Sequence, residues 1–186
     1  MAIQVMKDIN TVVFDKTGTI TKGKPEVTDI VVSENVDIEK DELLRLAASV
    51  ESGSEHPLGR AVVNSSERKD MSLSKINQFE AVTGKGVKAV IDGEEILVGN
   101  EKLFDDYDIE INVLKNRIKE LENEAKTVML ISRSNSLLGL IAVADTLKED
   151  SIDAIDELKK LGLETAMITG DNKRTARAIA DKVGID

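Results

Sequence analysis

Short apolar runs alternate with stretches of helical spacing along this chain, and the two ends alternate differently from the middle. Near the start, residues 10–14 read as a strand whose run Thr11-Val12-Val13-Phe14 ends at Asp15. A β-branched run with an aromatic end predicts a buried strand of a parallel sheet. Residues 27–32 form a second short extended piece after Gly23-Lys24-Pro25. Residues 38–50 have helical spacing, with Leu43, Leu44, Leu46 and Ala47 on one side. The segment 54–57 interrupts, and 58–67 predicts another helix.

The middle switches period. Residues 76–82, 86–91 and 94–98 predict short strands, and Asp92-Gly93 between the last two is a strong hairpin signal. Residues 100–104 predict a helical turn. Residues 111–124 predict a helix with Leu114, Ile118 and Leu121 inward, and the charge-rich stretch 116–126 reads as its solvated face. Strands 128–132 and 137–143 flank Arg133-Ser134-Asn135-Ser136, a second hairpin. The end alternates again. Residues 148–161 predict a helix with Ile152, Ile155 and Leu158 inward, stopped by Gly162. A strand at 165–168, a loop Thr169-Gly170-Asp171-Asn172 and a helix at 173–183 follow.

The economical architecture is an α/β parallel-sheet domain made from both ends, interrupted by an inserted antiparallel α+β domain. Its expected bounds are 1–32 with 144–186 for the first and 33–143 for the second, with linkers near 31–33 and 144–148.

Composition narrows the function. At 186 residues there is room for one large domain or two small ones, and 41% hydrophobic with 32% charged residues is ordinary for a globular protein. The net charge of -10 argues against nucleic acid, which needs a basic stripe. Cys is absent and His occurs once, so thiolate and multi-histidine metal sites are excluded. No apolar run approaches the length of a membrane span, and Met1-Ala2-Ile3 with Lys7 lacks the apolar core of a secretory signal. The chain as given reads as soluble.

The chemistry concentrates at Asp15-Lys16-Thr17-Gly18-Thr19-Ile20-Thr21. In open α/β sheets ligands bind beyond the carboxyl ends of the strands, where this heptad would lie. A carboxylate can attack a phosphoryl group and hold it as an acyl phosphate, given a divalent cation and a lysine as countercharge. Gly18 permits the close turn that lets backbone amides receive phosphate. The alternative is a surface turn. Gly84-x-Gly86 lies between strands, so it is a poor dinucleotide fingerprint; it is either a bulge or a close-approach site for a ligand. Gly99-Asn100 reads as a turn or a ligand contact, His56 as a helix-entry residue or a ligand contact, and Glu51 as surface or site. Asp145 or Thr146 can cap the helix that follows.

Asp15-Lys16-Thr17-Gly18-Thr19 resembles the phosphorylation motif of P-type ATPases, and Thr169-Gly170-Asp171 resembles that family's second phosphate-site motif. Ser54-Glu55-His56-Pro57-Leu58 is similar to the His-Pro signature of the heavy-metal branch, which moves copper, zinc and cadmium. Gly84-Lys85-Gly86-Val87 and Val98-Gly99-Asn100 resemble its nucleotide motifs, in the expected order.

The resemblance implies a HAD-like phosphorylation domain, truncated at its C-terminal end, with an inserted nucleotide-binding domain. Asp15 would take the γ-phosphate of ATP, with Mg²⁺ held by the Asp15 carboxylate and the Thr17 carbonyl oxygen. Thr169 and Asp171 would orient phosphate and cation, and Lys16 would neutralise charge. Glu51, His56, Gly84, Gly86, Val87, Gly99 and Asn100 match nucleotide-binding positions, and Glu51 could accept the adenine amino protons. Related phosphatases carry a second Asp where Thr17 stands, as a general acid that also activates water. Threonine does this poorly, so an acyl phosphate should persist.

The resemblance also implies a monomeric fragment at the cytoplasmic face of a membrane, partnered by ATP or ADP and by the actuator and membrane domains of a parent pump. The family's Gly-Asp-Gly-x-Asn-Asp segment would lie past Asp186. The rival readings are a nucleotide-binding module without catalysis and a phosphatase of the same superfamily.

Overall fold

In the computed structural model, which describes residues 9–185, two sheets form from different parts of the chain. Strand β1 (Thr11–Asp15) pairs in parallel with β8 (Glu164–Ile168), placing Asp15 opposite Ile168. The other six strands form one antiparallel sheet in the order β2-β7-β6-β5-β4-β3. They are β2 (Glu26–Val32), β3 (Asn77–Val82), β4 (Gly86–Ile91), β5 (Glu94–Gly99), β6 (Thr127–Arg133) and β7 (Ser136–Ala144).

Both hairpins form where the sequence predicts them. Asp92 and Gly93 have φ of 53° and 84°, and Ser134 and Asn135 have 44° and 63°. Two successive left-handed residues match the twist of the flanking strands, so each loop closes in two residues.

Alternation along these strands feeds two cores. Val87, Ala89 and Ile91 of β4, with Met129 and Ile131 of β6, pack against helices α1 (Lys40–Glu51) and α2 (Pro57–Glu67). Val128, Leu130 and Leu140 face the opposite side, with α3 (Glu101–Asp106) and α4 (Lys115–Asn123). Leu43, Leu44, Ala47 and Val50 are fully buried on α1, each leucine contributing ~1.5–3 kcal/mol relative to exposure.

A third, small core joins Ile20 to Ile155 of α5 (Ser151–Lys160) and to Ala180 and Val183 of α6 (Lys173–Val183). Gly184, at φ 79°, ends α6 in the left-handed conformation that its missing Cβ allows.

Three expectations are corrected. Strand β2 was expected in the domain built from the chain ends, with a linker near 31–33. It is instead an edge strand of the large sheet, paired with β7 from Glu26↔Ala144 to Val32↔Gly139. The chain therefore crosses between the parts at residues 21–25 and 145–148, where Thr21 bridges Leu147. Strand β1 was expected to be buried, but it has one neighbour in its sheet and Val13 is 53% exposed. Ile152 was expected to face inward, yet it is 45% exposed while Ile155 carries the contact.

Candidate functional site

Asp15 ends β1, and the chain then turns tightly through 16–20, where Gly18 at φ 77° takes a conformation that a side chain would strain. Asp15 is exposed, and its carboxylate has no hydrogen bond or ion pair among the described residues. The loop is held from the second crossing. Lys148 Nζ donates to the Gly18 carbonyl at 2.7 Å, and Ser151 Oγ donates to that of Ile20 at 2.8 Å. Asp145 ties the first crossing: its carboxylate accepts from Thr21 Oγ1 at 2.6 Å and from the backbone N–H of Gly23 and Lys24, both at 3.1 Å. Such charge-assisted bonds are the stronger kind. Asp145 was expected as a possible cap of the helix that follows, but that helix begins at Ser151 with Asp150 at its cap position, and Asp145 holds the first crossing instead.

The loop after β8 leaves the same sheet edge as the Asp15 loop. Asp171 pairs with Lys16 Nζ at 2.7 Å, with the two side chains 8% and 11% exposed. Thr169 Oγ1 donates to one Asp171 oxygen and Thr127 Oγ1, from the large sheet, to the other, both at 3.0 Å. Asn172 caps α6, accepting from the N–H of Arg174 and Thr175 at 2.9 and 3.1 Å.

Glu122 of α4 reaches across to this cap. It accepts from Asn172 Nδ2 at 2.8 Å, and its second oxygen lies 2.8 Å from Arg174 Nε. Burial pushes its carboxyl above the ordinary range, against the opposing pull of Arg174. The charge-rich stretch 116–126 was expected to be a solvated helix face with no chemistry; its Glu122 is instead 4% exposed and joins the two parts of the chain. Its position four residues after Ile118 was the signal.

On the inserted side, Glu51 closes α1 and is 4% exposed. Burial raises its carboxyl to about 7, with the Ser54 hydroxyl lowering it only in part. His56 caps α2: its Nδ1 accepts from the Leu58 N–H at 3.2 Å, which leaves Nε2 as the free ring position.

Asn100 caps α3 and ties it to the turn before β4, donating through Nδ2 to the Gly84 carbonyl at 2.9 Å. Gly86 and Gly99 let β4 and β5 approach here. A Cβ on Gly86 would meet the Val98 carbonyl oxygen at 2.2 Å, and one on Gly99 the Lys85 carbonyl oxygen at 2.4 Å. Gly84 has φ 72° and open space where a Cβ would lie.

One cavity of about 1320 Å³ collects these groups. Lys16, Thr17, Thr169 and Asp171 line it together with Glu51, His56, Gly84, Gly86, Val87, Gly99 and Asn100. Asp15 is not in the lining; it immediately precedes the two residues that are. Sequence reading passed over Thr127 and Glu122, and also Gly59, whose significance lies in what it leaves room for.

No group of three or more acidic, histidine or cysteine side chains among the described residues could hold a metal alone. A free carboxylate at Asp15 followed by the Thr17 carbonyl suits Mg²⁺, which binds through one or two protein oxygens and keeps waters or substrate phosphates as its other ligands.

The family model of the haloacid dehalogenase-like hydrolases matches residues 9–186. A copper-exporting P-type ATPase of Bacillus subtilis (strain 168) is 46% identical over 177 residues, which cover 95% of this chain and 22% of that protein. The chain thus spans about a fifth of that relative's length. A zinc-transporting PIB-type ATPase solved in its E2.Pi state superposes with a TM-score of 0.69 at 38% identity, covering 96% of this chain and 28% of that one. The N-domain of HMA8, a copper-transporting P-type ATPase, matches 64% of this chain and 99% of its own, at 29% identity and a TM-score of 0.53. No helix among the described residues is long and apolar enough to cross a membrane.

Proposed function

This chain belongs to the haloacid dehalogenase-like hydrolases, and on that footing we propose that it is the ATP-binding and aspartyl-phosphate-forming portion of a heavy-metal P-type ATPase. The observation that carries the reading is the single cavity lined by both loops at the strand ends and by the Glu51, His56 and glycine set.

ATP binds with its base toward Glu51 and His56. The backbone at Gly84 leaves open space for the ligand, Gly86 and Gly99 let β4 and β5 close up beside it, Val87 gives an apolar wall, and Asn100 holds the turn in place. An oxygen of Asp15 attacks the γ-phosphorus in line. The bond from that phosphorus to the β,γ-bridging oxygen breaks, and ADP leaves with the electron pair. The Asp15 carboxylate and the Thr17 carbonyl would hold Mg²⁺, which would supply countercharge for the phosphates. Thr169 and Asp171 orient the transferred group, and Lys16, paired with Asp171, supplies a second positive charge.

Thr17 has no carboxyl group with which to activate water, so the acyl phosphate persists and can drive transport. This separates the reading from a phosphatase. The parent would sit in a membrane with this portion at the cytoplasmic face, joined to actuator and membrane domains. Its cargo is a soft heavy-metal cation, copper being favoured by the name of the curated relative.

Incubating the chain with γ-labelled ATP and Mg²⁺, followed by acid quench, should give a hydroxylamine-labile label that Asp15→Asn abolishes. Equal labelling of Asp15→Asn overturns the assignment. A second reading, a nucleotide-binding module that transfers nothing, is favoured by the Lys16–Asp171 pair, which holds both groups to each other. Saturable ATP binding with no label would select it.

A further inference from the structure

The Glu51 carboxyl occupies a slot that exists only because Gly59 has no side chain. A Cβ there would lie 2.1 Å from Glu51 Oε2 and 2.9 Å from Cδ, with Ser54 Oγ at 3.3 Å. Gly59 is itself buried on α2. The carboxyl thus sits against helix backbone, Glu51 is among the residues lining the large cavity, and no ion pair reaches it among the described residues. Glu55 and His56 lie on the same connecting loop, and Arg60 follows Gly59 on α2. Lys85, Glu101, Lys102 and Asp105 line the same cavity. None of these charges acts on Glu51; burial and the Ser54 hydroxyl alone set its state.

Protonation decides which base such a group can read. A carboxylic acid presents one donor beside one acceptor, while a carboxylate presents acceptors only. Adenine offers an acceptor ring nitrogen beside the N6 amino donor, which pairs with the acid through two hydrogen bonds. Against the carboxylate, the ring nitrogen's lone pair meets a second lone pair. Guanine can pair with either form: with the acid through O6 and N1–H, and with the carboxylate through N1–H and the N2 amino group.

We infer that Glu51, seated against Gly59, engages adenine as a neutral acid, and that its ionisation shifts the site's preference from ATP toward GTP. The inference rests on the nucleotide-binding reading above. Gly59 is then a positioning residue: it touches no nucleotide but fixes the slot that keeps the carboxyl dry.

With a midpoint near the value of about 7 that burial gives Glu51, the adenine-competent fraction falls roughly tenfold between about pH 6 and pH 8, and apparent affinity falls with it. The ratio of ATP to GTP affinity is the proper readout, because the two triphosphates titrate alike. Calorimetric titration of the full chain with each nucleotide, in Mg²⁺, should show that ratio falling about tenfold over this range.

Glu51→Gln keeps a donor beside an acceptor at every pH, so its ratio should be flat. Gly59→Ala, which displaces the carboxyl, should move or erase the transition, whereas in His56→Asn the slope persists even as affinity drops. Two results overturn the inference: a constant ratio in the wild-type chain when both nucleotides bind, or a slope that survives Glu51→Gln. If neither nucleotide binds at any pH, the reading of the cavity as a nucleotide site fails instead.

Discussion

Replacing Glu51 by Gln should stabilise the nucleotide-free protein, and by more at high pH than at low. The ordinary value for this carboxyl is 4.5, and burial in the fold raises it to about 7. Below about pH 4.5 the acid is neutral in both the folded and unfolded chain, and the fold pays no ionisation penalty. Between the two values the unfolded chain releases the proton and the folded chain retains it, so the folded state binds more protons and stability falls with rising pH. Above about pH 7 both forms are ionised and the loss is complete. Each pH unit corresponds to ~1.4 kcal/mol, so the interval of about 2.5 amounts to roughly 3 kcal/mol.

A glutamine of the same shape carries no such cost. The difference in unfolding free energy, variant minus wild type, should therefore rise by about 3 kcal/mol from pH 4.5 to pH 8. Taking the difference cancels the opposite slopes of carboxyls held below their usual range, such as Glu42 beside Arg45. The chain has no Trp and one Tyr, so urea unfolding is best followed by far-ultraviolet circular dichroism. A difference that stays flat with pH, or falls, refutes the claim that an uncompensated acid lies buried at this site.

Gly99→Ala should lower stability by about 1–3 kcal/mol, because its methyl group would press on the Lys85 carbonyl; a shift in urea midpoint measures it. Asp145→Ala removes the acceptor for one hydroxyl and two backbone N–H groups. It should cost about 1.5–3 kcal/mol and speed proteolytic cutting at residues 21–25 well before other sites. Glu122→Ala cuts the links to Asn172 and Arg174 and should raise the radius of gyration in small-angle scattering; an unchanged radius means that the remaining links, Thr127 to Asp171, Thr175 to the Lys126 carbonyl and Lys182 to the Glu124 carbonyl, suffice.

Local signals carried much of this fold. Asp92-Gly93 and Ser134-Asn135 set their hairpins because two left-handed residues are a property of the turn itself. Helix α6 runs as predicted because Asn172 caps its start and Gly184 its end. What stayed illegible depends on distant partners. Residues 27–32 read as a strand, but only pairing with β7 decides which sheet receives them. The buried state of β1 could not be judged without knowing its neighbours. At the site, the resemblance to P-type ATPase motifs named residues that the cavity brings together, while their types and spacing alone left most of them open, and the Lys16–Asp171 pair joins residues far apart in the chain. Glu51 read as surface or site from the sequence; only the bare backbone of Gly59 shows why a carboxyl fits inside.

Asp145 grips the outgoing chain crossing from its own place on the returning one. The Thr21–Leu147 bridge lies beside this grip, so the two covalent strands are tied together over a short stretch that opposes twisting and sliding more than a swing about one line. A displacement of the six-stranded unit away from the small sheet would then follow an arc about that line.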